Sequence, residues 1–164
     1  MNARGTPADW ERARNPSKLD RARFMSKVDE QANGCWRWTS TVKTGGYPYF
    51  TFGWQAFRAH RLSYLWAHPG ITFEDMDGLE IDHLCRNRLC VNPEHLELVT
   101  PRENTMRGDT AARRNAEKTH CIHGHPFDEK NTGRQWNKRD KAMMRYCREC
   151  RRLGVLRRKG RIVG

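Results

Sequence analysis

The chain contains no run of ~18 apolar residues, which excludes a membrane-spanning helix. Its opening stretch, MNARGTPADWERARN, lacks the apolar segment of a secretory leader, so a cytoplasmic protein is expected. Hydrophobic residues are 37% of the 164 and charged residues 30%, which leaves no room for a large apolar core. There is no internal repeat. Acidic residues are scarce in one region only. Residues 102–164 hold 7 Asp/Glu against 18 Lys/Arg, whereas residues 1–101 hold 12 against 13. Almost all of the net charge of +12 therefore sits in the last third. That asymmetry fits either a polyanionic partner, of which nucleic acid is the commonest, or a solvated basic tail.

The chain is better supplied with aromatic and metal-binding side chains. Six tryptophans and six phenylalanines can build a small core, and small cores generally need covalent or metal staples. Six cysteines and seven histidines are available for that. In a reducing compartment, clustered cysteines bind metal more often than each other. The length fits one domain, or one domain with an appended module.

Residues 1–30 are polar and basic, with weak helical periodicity around Ala22 to Val28, and are expected to form an arm or short helix. CWRWTS and YPYFTF alternate large side chains around the turn signal Lys43-Thr44-Gly45-Gly46, which predicts a β-hairpin. Phe57 to Ala67 carries Phe57, Leu62, Leu65 and Trp66 at helical spacing, ended by Pro69-Gly70. GLEIDHLC (78–85) reads as a strand, RNRLCVNPEH as a loop, and LELVT (96–100) as a second strand. Thr100, Pro101 and Glu103 then form a helix start with a capping box. Residues 108–118 read as a linker or helix continuation. The expected organisation is an arm or helix over 1–30, a core over 31–110, a basic module over 111–152 and a basic tail over 153–164.

Two metal sets can be read from the spacing. Cys85 and Cys90, then His95, with Cys35 brought in by the hairpin, make a Cys3His set suited to tetrahedral zinc. Cys121, His123 or His125, and Cys147-x-x-Cys150 make a second, knuckle-like set. His125 is preferred, because Gly124 permits the tight turn before it. Together the two sets use all six cysteines. The alternative is that Cys35 is a small buried apolar residue, with Cys85 and Cys90 free thiols.

The segment IDHLCRNRLCVNPEHLELVTPRENTMRG resembles the HNH endonucleases. Cys85, Cys90 and Asn92-Pro93-x-His95-Leu96 also resemble the His-Cys box homing endonucleases, a branch of the same ββα-metal superfamily. GCWRWT, AHRLSYLWAH and the closing knuckle are similar to phage-borne HNH proteins, and the resemblance covers residues 30–152. It implies an α+β fold: a small zinc-stapled ββα-metal core with an N-terminal β-hairpin or sheet and a C-terminal zinc knuckle. It further implies His83 as general base and Asn104 as a metal ligand through its amide oxygen. Asp82 matches a second metal-ligating carboxylate of the HNH branch; the His-Cys box branch has no acid there. Asn92 matches the middle residue of the motif, which braces the loop holding the base. His95 falls before the second strand and is read as a zinc ligand. His60 and Arg61 are either outward-facing polar residues of a helix, or Arg61 reaches the scissile phosphate.

The implied activity is hydrolysis of DNA phosphodiester bonds with one Mg²⁺ or Mn²⁺, leaving 5′-phosphate and 3′-hydroxyl ends, and with two structural Zn²⁺. A phage or mobile-element homing role, in the bacterial host cell if phage-encoded, goes with it. The expected partner is double-stranded DNA, bound by a monomer or homodimer. The hairpin from Trp36 to Trp54 would lie in a groove. Arg145, Arg148, Arg151, Arg152, Arg157 and Arg158 would track phosphates. A zinc module that binds nucleic acid without cutting it would explain the charge and cysteines, but not Asp82-His83 with Asn104. A purely structural zinc domain would explain less.

Overall fold

A computed structural model describes residues 6–43, 45–139 and 141–158, and its fold is α+β. The chain divides into two compact units, Met1–Arg107 and Gly108–Gly164.

The first unit begins with two eight-residue helices, α1 (Pro7–Arg14) and α2 (Lys18–Met25). Thr6 with Asp9 and Ser17 with Asp20 close capping boxes at their starts. Helices this short do not persist alone, so tertiary contacts must hold them. Arg12 provides one such contact, donating to both carboxylate oxygens of buried Asp20 at 3.0 and 2.6 Å. That hydrogen-bonded guanidinium holds the Asp20 carboxyl down at about 2. Ala13 and Phe24 enter the core, so these residues, expected as an arm or short helix, are part of the packed unit.

β1 (Val28–Glu30) pairs antiparallel with β2 (Trp36–Trp38), and β3 (Val42–Lys43), β4 (Tyr47–Phe52) and β5 (Gln55–Arg58) make a three-stranded sheet. The hairpin expected between CWRWTS and YPYFTF therefore does not form. The turn at Gly45-Gly46 is where it was expected, but it joins β4 to β3, while β2 turns back through Gly34 (φ 79°) to β1. The period-two alternation of β4 puts Pro48, Phe50 and Phe52 inward. Phe57 belongs to β5, opposite Phe50, and α3 (Ala59–Ala67) starts two residues later. Phe24, Trp38, Phe50, Phe52, Phe57 and Leu62 form the main core, packed largely edge to face; Phe24 lies 4.9 Å from Trp38 and 5.0 Å from Trp66. The aromatic side chains expected to line a groove are thus mostly interior. Trp54, at the β4–β5 turn and 92% exposed, is the exception.

β6 (Glu80–His83) and β7 (Leu96–Val99) pair antiparallel with His83 opposite Leu96, joined by a loop that ends in a 3₁₀ turn, Pro93–His95. α4 (Pro101–Arg107) follows. This is the strand, long loop, strand, helix order expected from the sequence. Ile81 and Leu96 pack with Tyr64, Leu65 and Met76 in a second, smaller cluster.

In the second unit, α5 (Ala111–Glu117) is a separate helix, capped by Thr110, in the stretch read as linker or helix continuation. β8 (Thr132–Asn137) and β9 (Ala142–Cys147) form a hairpin, and α6 (Arg148–Arg158) follows directly. The tail expected over 153–164 is helical as far as Arg158, and the rest lies outside the described residues. Among the described residues, no helix is long and apolar enough to cross a membrane.

Candidate active site and metal centres

The capping box at Thr100 sets the start of α4: Thr100 N donates to Glu103 Oε2 at 2.9 Å, and Glu103 N to Thr100 Oγ1 at 3.2 Å. Two contacts lay the helix along β6. Asn104 Nδ2 donates to Glu80 Oε2 at 2.6 Å, and Arg107 Nη1 stands 3.6 Å from Asp82 Oδ2 while binding Glu97 Oε2 at 2.5 Å. Glu80 and Asp82 share one face of the strand because side chains alternate with period two. Asp82 is buried, and its Oδ1 accepts from Arg86 Nη1 at 2.9 Å. Its Oδ2 is buried without a hydrogen bond. With the Asn104 nitrogen committed to Glu80, its amide oxygen takes no hydrogen bond among the described residues. Oxygen donors of this kind, on the β6 face that α4 covers, fit a hard divalent cation.

His83 faces the other way. Its ring centroid lies 5.1 Å from that of His60 on α3 and 6.3 Å from that of Tyr47 on β4. His83 Nε2 and His60 Nδ1 are both buried without partners. Burial lowers the His83 pKa, against the opposing pull of a backbone hydrogen bond with Cys90 and of the Asp82 charge. His60 is pushed down to about 3, by burial first and then by His83, Arg58 and Arg61. Both rings are therefore neutral at physiological pH, and His83 offers a bare nitrogen that can accept a proton. Exposed Arg58 and Arg88 place their guanidinium carbons 4.9 and 5.7 Å from the Tyr47 ring centre, giving this group of rings a positive rim.

Arg61, expected either on an outer helix face or at the scissile phosphate, is engaged by the backbone. Its guanidinium donates to Leu79 O at 3.0 Å and Met76 O at 2.8 Å, so it braces the loop before β6. Asn92 bridges two segments: Nδ2 donates to Gly34 O at 2.7 Å, and Oδ1 caps the 3₁₀ turn through Glu94 N at 3.0 Å.

That bridge brings together the four residues of the first expected metal set. Cys35, Cys85, Cys90 and His95 have ligand atoms all within 4.8 Å of one another. Cys121, His125, Cys147 and Cys150 form an equivalent second group. His123 is not part of it, and Gly124 (φ 78°) makes the turn that brings His125 round. The sulfur–nitrogen separations are 3.5 Å for Cys35–His95, 3.7 Å for Cys90–His95 and 3.5 Å for Cys121–His125. Tetrahedral zinc with ordinary bond lengths has sulfur–nitrogen edges of about 3.6 Å, so these spacings are better read as edges of a coordination tetrahedron than as hydrogen bonds. Both clusters can hold zinc.

In the second unit, most of the arginines expected on phosphates are engaged within the protein. Arg145 donates to Lys118 O at 2.9 Å and to Asn115 O, and stacks on Phe127. Arg148 donates to Lys130 O, Arg151 to Gln135, and Arg152 pairs with Glu149. Arg157 and Arg158 are exposed at the end of α6.

Residues 58–106, which run from the end of β5 through Asp82, His83 and Asn104, match the family described as HNH endonuclease. The resemblance seen in the sequence holds. The chain is also similar to Protein 2.8 of Escherichia phage T7, 28% identical over 85 residues, which is 52% of this chain. The match spans 56% of that phage protein, so the chain covers about half the length of the relative. No solved structure matches. Tyr47, Glu80 and Arg107 also line the site, and His60, for which an outward-facing helix position was one of two expectations, is buried beside His83. Arg107 stands one helical turn after Asn104, a spacing that could have revealed it. His60 carries no such signal in the sequence, since Arg58 and Arg61 lie beside it.

Proposed function

We propose that the chain is a DNA endonuclease that hydrolyses phosphodiester bonds with one Mg²⁺ or Mn²⁺ and carries two structural zinc ions. The observation that supports this reading best is that Asp82 and His83, adjacent and inside the HNH segment, each leave a buried acceptor atom without a hydrogen bond. Such atoms are rare in folded proteins and ask for an explanation. Here one is a carboxylate oxygen suited to a hard cation, and the other an imidazole nitrogen suited to a water proton.

His83, neutral through burial, takes a proton from a water aimed in line at phosphorus. The new P–O bond forms as the P–O3′ bond breaks, leaving a 5′-phosphate and, once the departing oxygen takes a proton from solvent, a 3′-hydroxyl. Asp82 Oδ2 and the Asn104 amide oxygen would hold the divalent cation, which when bound stabilises charge on the phosphate and leaving oxygen. Glu80 keeps the Asn104 oxygen free by occupying its nitrogen. Tyr47 and His60 fix the plane of the His83 ring, and Arg58 and Arg88 draw the phosphate toward it. Closed four-ligand zinc sites have no open position and do no chemistry. Double-stranded DNA is the substrate, and a phage or mobile-element homing role fits the likeness to a phage protein.

Incubation of supercoiled plasmid with wild type and His83→Ala, with and without Mg²⁺, tests the reading. Wild type should nick or cut only with the cation, and His83→Ala of equal zinc content should be slower by at least ~10²-fold. Equal cutting by both, or none by wild type with either Mg²⁺ or Mn²⁺, defeats it.

A further inference from the structure

Ten large hydrophobic side chains stand exposed among the described residues, and three of them share one hairpin: Trp136, Met143 and Met144 on β8–β9. Trp136 and Met143 are direct cross-strand partners, each 57% exposed, and so lie side by side on one face. Toward the base of the hairpin the same face carries the pairs Arg134–Arg145 and Thr132–Cys147. That base is covered, because Arg145 stacks on Phe127 and Cys147 belongs to the second metal cluster. The opposite face is also in use. The Tyr146 ring lies across Gly133, where an added Cβ would come within 2.3 Å of the ring, and Arg151 sits 4.8 Å from the ring centre. Among the described residues of the hairpin, Trp136 and Met143 are the one cross-strand pair of exposed apolar side chains; Met144, on the opposite face, stands across from Gln135.

What surrounds the tip says what it would meet. Arg134, Lys138, Arg139 and Lys141 are all exposed around it. Arg134 stands directly opposite Arg145, a like-charge cross-strand pair that costs stability unless an anion relieves it. Residues 108–164 hold 16 Lys/Arg against 6 Asp/Glu. An apolar tip with cationic shoulders complements a ligand that is anionic outside and apolar within, and stacked bases between phosphate strands are such a ligand. A protein partner would need an acidic ring around an apolar socket, and nothing here selects for one.

We infer that the Trp136–Met143 pair is a wedge that enters the minor groove of duplex DNA and unstacks a base step, with Arg134, Lys138 and Lys141 on the flanking phosphates. A flat indole and a pliable thioether suit that insertion. The inference rests on the DNA substrate proposed above but not on the chemistry at His83.

The test uses full-length protein in the His83→Ala background, so that the DNA stays intact, on duplexes carrying 2-aminopurine. Zinc content is measured for every variant; Trp136 is exposed, so its replacement should leave the fold unchanged. Binding should raise the 2-aminopurine fluorescence. Trp136→Ala should abolish that rise and weaken binding about tenfold or more, with the salt slope unchanged, while Trp136→Phe retains most of both. Arg134→Ala should instead reduce the slope by about one. Binding by Trp136→Ala within about twofold of its parent, or duplex binding with no fluorescence rise, overturns the wedge; so does tighter binding to single strands than to duplex. Protein that binds duplex as expected but never cleaves leaves the wedge standing and removes the nuclease reading. Protein that binds no DNA removes both.

Discussion

Residues 1–107 bury Phe24, Trp38, Phe50 and Phe52 in one aromatic cluster and also hold a Cys3His group, whereas residues 108–164 bury only Gly133 and Cys147 among the described residues and hold the other. The two groups have the same ligands and different structural weight. In the first unit a metal would pin two loops to an existing core. In the second the metal cluster is the core, because β8, β9 and α6 meet nowhere else in a buried apolar surface. The same contrast extends to polar groups: the first unit carries buried polar atoms without hydrogen bonds, and the second carries exposed cations and an exposed apolar tip.

Metal removal should split the units most sharply. Chelation at neutral pH should unfold residues 108–158, since apparent zinc free energies in such knuckles reach about 10–16 kcal/mol and become the folding free energy. The first unit should keep its aromatic core and lose order mainly around Cys35 and residues 85–95. Amide NMR spectra before and after chelation would show this, and survival of the β8–β9 amides without metal would mean that the second unit folds without its cluster. Because Cys90 is raised to about 12, mainly by burial, loading the first site must release protons, and its zinc affinity should fall as the pH is lowered.

A core substitution should act on one side only. Phe50→Ala should cost the first unit about 3–5 kcal/mol in denaturant unfolding and leave the second transition in place. Loss of both transitions together would mean the units are not independent. His60 sharpens the contrast through pH. Unfolded, it binds a proton below about 6.5, but folded it resists until about 3. The first unit should therefore lose stability as pH falls through this window, at up to about 1.4 kcal/mol per pH unit, and His60→Gln should flatten the slope. The smallest effect should come from Thr100→Ala, about 1 kcal/mol, read as faster amide exchange in α4 and not in α5 or α6.

Much of the candidate site was legible where local chemistry decides the structure. Thr100, Pro101 and Glu103 announce a helix start in any context, and the Cys/His spacing with Gly124 before His125 leaves few ways to wrap a tetrahedral ion. Long-range pairing was less legible. β2 is three residues long and could have paired with any neighbouring strand; only the fold gives it to β1 instead of β4. Phe57 satisfies a helical period equally well from a strand ending just before α3. Charge misled at Arg145, which counts toward the basic surface while it serves as a strut under Phe127 and the 115–118 backbone; His60, flanked by Arg58 and Arg61, is interior all the same. Net charge counts cations but does not show which of them the protein has already engaged.

If the bare imidazole nitrogen of His83 accepts the proton of the attacking water, free imidazole should stand in for it. Single-turnover cleavage of duplex DNA by His83→Ala, loaded with its usual zinc and supplied with Mg²⁺, should be slower by at least ~10²-fold and recover in part as free imidazole is added. Cleavage by His83→Ala at the wild-type rate without imidazole would contradict the account.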